Sequence, residues 1–321
     1  MSRAISYASL PISEAALDVA RGLRGPKKSL PAYLFYDAIG SGLYERITEL
    51  PEYYPTRTER AILEAHAPEI AELIGAAKTV IELGAGTATK TEILLAALIA
   101  RGSQAVFIPV DVSRPPLEEA TARLAARLPS LEVKPVVATH ERAFELIAEI
   151  PGRKAVLFIG SSIGNYDAGA ATRLLRGIRE SAGDDALLLL GTDRVKSADV
   201  LVPAYDDAQG VTAAFNKNVL ARINRELGGH FDLTRFDHVA LWNASESRIE
   251  MHLESNVDQA VRIEALDMTV HFNRGERIHT ESSVKYDRPR VTAMLAAAGF
   301  ERVQSFMDER EWFSVHLARA V

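Results

Sequence analysis

Hydrophobic positions along this chain follow two different patterns, and the change falls near residue 195. Before it, apolar residues come in short unbroken runs. These are Thr79-Val80-Ile81-Glu82-Leu83, Val106-Phe107-Ile108-Pro109-Val110-Asp111, a run over 132–138, Ala155-Val156-Leu157-Phe158-Ile159 and Ala186-Leu187-Leu188-Leu189-Leu190. Such runs mark strands buried on both faces, as in a parallel sheet. The stretches between them, over 88–100 and 117–128, have helical character, so the region reads as alternating α/β. Past 195, Ala204-Tyr205-Asp206-Asp207-Ala208 leads into a helix over 211–227. Polar and apolar residues then alternate over 238–242, 248–254, 261–272 and 277–286, which predicts antiparallel strands with one polar face. Pro289 opens a helix to 298, Gly299 closes it, and 302–306 and 312–318 read as a closing strand pair.

The first sixty residues are not α/β in pattern. An amphipathic helix is expected over 14–23, ended by Gly25-Pro26, and another over 43–50. Pro51-Glu52-Tyr53-Tyr54-Pro55 reads as a rigid aromatic loop, because each proline fixes its own φ and restricts the residue before it. Thr58 is then placed to cap a helix over 59–74. The antiparallel block interrupts the α/β region, which predicts one domain over 60–195 and 287–321 and a second over 1–59 and 196–286.

Composition narrows the classes. At 321 residues there is ample core. A net charge of −6 without a basic run argues against nucleic acid, and no apolar stretch is long enough to span a membrane. Residues 1–10 lack the apolar segment of a signal peptide. The absence of cysteine excludes disulfides and thiolate metal sites and fits the cytoplasm. The expectation is a cytoplasmic monomer acting on a small molecule.

The chemistry centres on Glu82-Leu83-Gly84-Ala85-Gly86-Thr87. Glycines after a buried strand let backbone approach a ligand, with a helix opening behind them. A dinucleotide fingerprint would need a third small residue where Thr89 stands. An acid before G-x-G instead resembles the first motif of class I S-adenosylmethionine (SAM) methyltransferases. Asp111 ends the second strand, where an acid can receive ribose hydroxyls. Gly160, Asn165 and Asp193 would lie at the same carboxyl edge of the sheet. No metalloprotease, nucleophile-elbow or Walker motif is present, and the eight histidines are scattered without a ligand spacing. No metal site is expected. Asp206-Asp207 is read as a helix N-terminus.

Several longer stretches carry a closer likeness. Tyr36-Asp37-Ala38-Ile39-Gly40-Ser41, Leu50-Pro51-Glu52-Tyr53-Tyr54-Pro55-Thr56-Arg57-Thr58-Glu59, Gly160-Ser161-Ser162-Ile163-Gly164-Asn165 and Ala204-Tyr205-Asp206-Asp207 resemble the L-histidine Nα-methyltransferases of ergothioneine biosynthesis. The resemblance covers nearly the whole chain. It implies a class I methyltransferase α/β fold with a Rossmann-like sheet and an inserted α+β substrate-binding domain. It further implies SAM-dependent trimethylation of the histidine α-amine, giving hercynine. By the same resemblance Tyr53 and Tyr205 meet the histidine carboxylate, and Asn165, near Tyr36, holds the amine beside Gly160. Glu281 and Ser283 receive the imidazole, with Met251 against the ring. SAM falls to Gly84, Gly86, Lys90 and Asp111. One departure concerns the adenine. The family has Gly-Asp and an aromatic after the third strand, whereas this chain has Ala138-Thr139-His140-Glu141. Thr139 and His140, or the displaced Glu141, are left to read the adenine edge. The other readings are a methyltransferase of the same fold with a different amino acid substrate, or a binding protein for SAM or an amino acid. A carboxylate at Glu281 argues against a large apolar substrate side chain.

Overall fold

The structure is a computed structural model and describes residues 12–75, 77–102 and 104–321. The reading of residues 1–10 lies outside them. In chain order come α1 (Ile12–Arg24), β1 (Lys28–Ser29), α2 (Ala38–Thr48), α3 (Tyr54–Ile74), β2 (Thr79–Leu83), α4 (Thr91–Ala100), β3 (Val106–Asp111) and α5 (Arg114–Arg127). Then follow β4 (Glu132–Val133), β5 (Val136–Val137), α6 (His140–Glu149), β6 (Lys154–Phe158), α7 (Ala168–Ala182), β7 (Leu187–Asp193), α8 (Ala198–Leu201) and α9 (Val211–Leu227). The chain closes with β8 (Phe236–Asn243), β9 (Arg248–Ser255), β10 (Gln259–Ile263), β11 (Met268–Phe272), β12 (Arg277–Val284), α10 (Arg288–Ala297), β13 (Phe300–Met307) and β14 (Phe313–Ala320).

The described residues form two compact units. The first holds Pro55–Val195 and Val284–Val321. Its sheet runs β13-β14-β7-β6-β2-β3-β4, with β5 also on β3. Strands β2, β3, β6 and β7 are parallel, and β14 joins β7 antiparallel, carrying β13 as the edge. This is the Rossmann-like α/β sheet of the fold expected. Side chains alternate across it. Leu188, Leu190 and Ala318 pack on one face with α6, α7 and α10, while Leu187, Leu189 and Leu317 pack on the other with α3 and α4.

The second unit holds the described residues up to Tyr54 together with Lys196–Ser283. It has a four-stranded sheet, β1-β12-β9-β8, and a separate hairpin of β10 and β11. In β9 burial alternates strictly, with Ile249, Met251 and Leu253 inside.

Several local expectations change. Helix α3 begins at Tyr54, so Pro55 lies in its first turn and Thr58 is inside the helix instead of capping it. First-turn N–H groups have no intrahelical partner, so proline costs nothing there. Helix α2 begins at Ala38, capped by Asp37 accepting from the Gly40 N–H at 2.7 Å, earlier than the expected 43. The strand expected over 132–138 is two short pieces, split around Lys134-Pro135, since proline cannot donate to a ladder. The stretch 261–272 is a hairpin, turning at Asp267 with φ of +44°.

Candidate active site

In the first unit the carboxyl edge of the sheet is built from glycines and buried acids. After β2 the chain turns through Gly84 and Gly86, with φ of +70° and +51°, a region that favours glycine. A Cβ added at either would meet nothing within 4 Å, so the backbone here borders open space. Asp111 ends β3. Its Oδ2 accepts from the Gly86 N–H at 2.9 Å and its Oδ1 from the Ser113 N–H at 2.8 Å. Each oxygen keeps acceptor capacity, enough for a pair of vicinal hydroxyls. Burial raises the Asp111 pKa, against the pull of those amides. Glu82, inside β2, is fully buried, and this pushes its pKa up to about 8. Its Oε2 has no hydrogen-bond partner.

Lys90 stands before α4, and its ammonium pairs with Glu59 of α3. Glu59 has no exposed surface and accepts the Gly160 N–H at 2.9 Å on both oxygens. One carboxylate therefore ties α3, the start of α4 and the turn after β6. Gly191 of β7 must be glycine, because a Cβ there would lie 2.1 Å from Glu59 Oε1.

The turn after β6 passes Gly160 at φ +77° and Ser161 at φ +59° into a 3₁₀ turn, Ser162–Asn165. Ser161 Oγ accepts from the Asp193 N–H at 2.8 Å, and the Asp193 carboxylate pairs at 2.8 Å with Lys285, both fully buried. The helix cap that Asn165 could have supplied belongs to Asp167, which accepts from the Ala170 N–H at 2.7 Å. Among the described residues no hydrogen bond engages the Asn165 side chain. Thr139 caps α6, and its oxygen is turned to the Arg142 N–H at 3.5 Å. Burial lowers the His140 pKa. The ring lies edge-on to Phe158 at 5.6 Å and bonds the Tyr166 hydroxyl at 3.2 Å through Nδ1. Glu141 is exposed.

The second unit gathers the other predicted residues. Glu281 and Ser283 are two apart on β12, so they share a face, and both are buried. Ser283 Oγ and the Tyr205 hydroxyl are 2.8 Å apart. Tyr205 stands edge-on to Tyr53 at 6.3 Å, Tyr53 to Tyr44 at 6.4 Å, and Tyr44 to Tyr36 at 5.9 Å. Phe215 of α9 stacks behind them on Phe35 at 4.5 Å. Burial, then the neighbouring Tyr44 and Tyr205, raises the Tyr53 pKa well above its ordinary value, so the phenol stays a donor. Met251 is buried on β9, and its carbonyl accepts from the Thr280 hydroxyl at 3.0 Å. Asp207 caps α9 by accepting from the Val211 and Thr212 N–H groups at 3.0 and 2.7 Å. His238 donates from Nε2 to the Tyr205 carbonyl at 2.8 Å, and its Nδ1 meets the Asn216 amide at 2.9 Å. It therefore braces the Tyr205 segment as a neutral ring.

Two acids at the ends of adjacent parallel strands with an open glycine turn are one half of the pattern. The other half is decided by comparison, because the model of the SAM-dependent histidine-specific methyltransferases matches residues 15–320. The chain belongs to that family. A histidine N-alpha-methyltransferase of Mycobacterium tuberculosis is 46% identical to it over 303 residues, 94% of this chain and 93% of the relative. One from Mycolicibacterium smegmatis shares the same identity and coverage. Ergothioneine biosynthesis protein 1 of Neurospora crassa is 30% identical over 91% of this chain, which spans 33% of that longer protein.

The residues of this SAM-dependent methyltransferase fit the cofactor. An orphaned acceptor on Glu82 and spare lone pairs on Asp111 beside an open glycine turn are what the amino and ribose groups of SAM require. Sequence reasoning missed the bridging contacts of Glu59, the Lys285 ion pair and Tyr44. Glu59 sits in a quoted motif, but its partners are 31 and 101 residues away and leave no local spacing. Lys285 had one signal, a lone cation within the run from Ser283 to Tyr286, all of which is buried. Among the described residues no cluster of metal-ligating side chains occurs.

Proposed function

We propose that this methyltransferase transfers three methyl groups to the α-amine of L-histidine, giving hercynine, the first step of ergothioneine biosynthesis. The observation that carries the reading is the polar cluster of the second unit. There a buried carboxylate, Glu281, shares a strand face with Ser283, whose Oγ lies 2.8 Å from the Tyr205 hydroxyl. A buried carboxylate accepts from an imidazole N–H, and a buried Met251 suits the ring face. Tyr53 keeps its phenolic proton, and with the Tyr205 hydroxyl it would donate to the substrate carboxylate, the stronger kind of hydrogen bond.

Gly84, Gly86, Lys90 and Asp111 would hold SAM, with Thr139 and His140 toward the adenine. When bound, SAM supplies a methyl group on a sulfonium, which leaves by in-line displacement. The chain's part is positioning. Asn165 orients the amine through its amide oxygen but cannot remove a proton. Tyr36 and its aromatic neighbours present π faces to a growing ammonium, worth roughly 0.5–2 kcal/mol. A time course with histidine and SAM in more than threefold excess over it, read by mass spectrometry, should show one, two and then three added methyl groups, one SAM being consumed for each. Methylation of tryptophan in place of histidine would overturn the substrate. Glu281→Ala should raise the histidine KM by about 10–100-fold at unchanged SAM affinity.

A further inference from the structure

The edge of the first unit's sheet carries a polar cavity whose lining includes none of the residues assigned above to SAM or histidine. It has a volume of about 360 Å³ and lies on the α10 face of β7, β14 and β13. Two features set it apart from an ordinary surface groove. The first is a β-bulge in β13. Opposite β14, Arg302 pairs with Ala318 but Gln304 already pairs with Leu317, so Val303 is an extra residue, and it is exposed. In a regular strand Arg302 and Ser305, three apart, would point to opposite faces. The inserted residue brings them to the same face, where the Arg302 guanidinium donates to Ser305 Oγ at 3.0 Å. Bulges of this kind re-aim side chains.

The second feature is an excess of donors. Arg302 Nε is buried with no hydrogen-bond partner. Among the described residues no hydrogen bond or ion pair engages the guanidinium of Arg288, which also lines the cavity and is exposed. The two acids at the cavity are already engaged. Asp287 accepts from the Arg290 N–H as the cap of α10, and Glu311 pairs with Arg194 at 3.0 Å. On the wall, His316 bridges Ser305 at 2.7 Å and Thr192 at 3.0 Å. Burial, helped by Arg302 and Arg194, pushes its pKa down to about 4, so the ring is neutral and adds no charge.

We propose that this cavity is a binding site for a small oxyanion, a carboxylate or phosphate group of a metabolite, held by Arg302 and Arg288. A guanidinium with a free Nε–H offers the fork geometry that carboxylates and phosphates accept in bidentate fashion. The volume suits a metabolite-sized ligand.

The test uses the full chain, titrated calorimetrically with inorganic phosphate and with succinate against chloride at matched ionic strength. Saturable binding of one or both is expected. Binding of phosphate alone or succinate alone assigns the group, and binding of both supports the shared chemistry. Arg302→Met and the exposed Arg288→Ala should each weaken that binding by about tenfold or more, with SAM affinity unchanged. Arg288→Ala keeps the test decisive if Arg302→Met fails to fold. Absence of saturable binding, or equal binding by wild type and Arg288→Ala, would overturn the proposal.

Discussion

Glu59 and Glu82 are both buried acids of the first unit, and they differ in what surrounds them. Glu59 meets an ammonium and an amide N–H, so its charge is compensated. Glu59→Ala would leave Lys90 and the Gly160 N–H without it, and should cost roughly 3 kcal/mol in denaturant unfolding, as for a buried pair broken on one side. Glu82 has an oxygen without a partner, and burial raises its pKa from the ordinary carboxylate value to about 8. The folded state therefore binds a proton that the unfolded chain has lost. The stability this brings is full below about pH 4.5 and disappears as pH rises through about 8. In the cofactor-free protein, Glu82→Gln should flatten this decline between pH 5 and 8, and an unchanged slope would mean that Glu82 is ionised in the fold. Asn165 is different again. With Asp167 supplying the cap of α7, Asn165→Ala should leave the melting temperature nearly unchanged while slowing methyl transfer. Loss of stability with full activity would remove Asn165 from the reaction.

At the scale of elements, the caps carry measurable weight. Asp207 belongs to a motif singled out for substrate contact through its neighbour Tyr205, yet its own carboxylate closes the start of α9. Burial alone would raise its pKa, but the Thr212 and Val211 N–H groups hold it below the usual value. Its contribution is therefore present above the ordinary aspartate range and is lost as pH falls through the lowered value. Asp207→Ala should cost about 1 kcal/mol near neutral pH, read by thermal unfolding, and less in acid. The same scale shows what was legible in the chain. The central strands were plain, because Val80, Val156 and Leu188 must be apolar on both sides of a covered sheet. Element starts were obscured by proline. Pro55 read as part of a rigid loop, although it lies in a first helical turn that makes no use of its N–H. The Asp267 turn was hidden because an aspartate in a left-handed conformation resembles any polar strand residue. Of the candidate residues, those in one run such as Tyr53 or Glu281 could be named from motif alone. The pairing of Lys285 with Asp193 could not, because only the fold brings the two together.

At the scale of the molecule, the two units are interleaved along the chain, which passes between them after Tyr54, Val195 and Ser283. If the first unit takes SAM, its demethylated product at a hundredfold excess over Kd should add about 2.7 kcal/mol to the stability of the bound state. Hydrogen exchange should then slow first in β2, β3 and β6, and protection confined to the second unit would reverse the assignment. The interleaving has a further consequence, for how the protein is made. Strand β7 is a run of leucines whose neighbour on one side, β14, is translated long after it, with Thr192 and His316 124 residues apart in sequence. At roughly 5–20 residues per second, a ribosome leaves that leucine edge without its partner for several seconds or more. An unpaired apolar edge is a template for other chains. Until β14 emerges and covers that side of β7, the nascent chain therefore presents an edge that other chains can pair with.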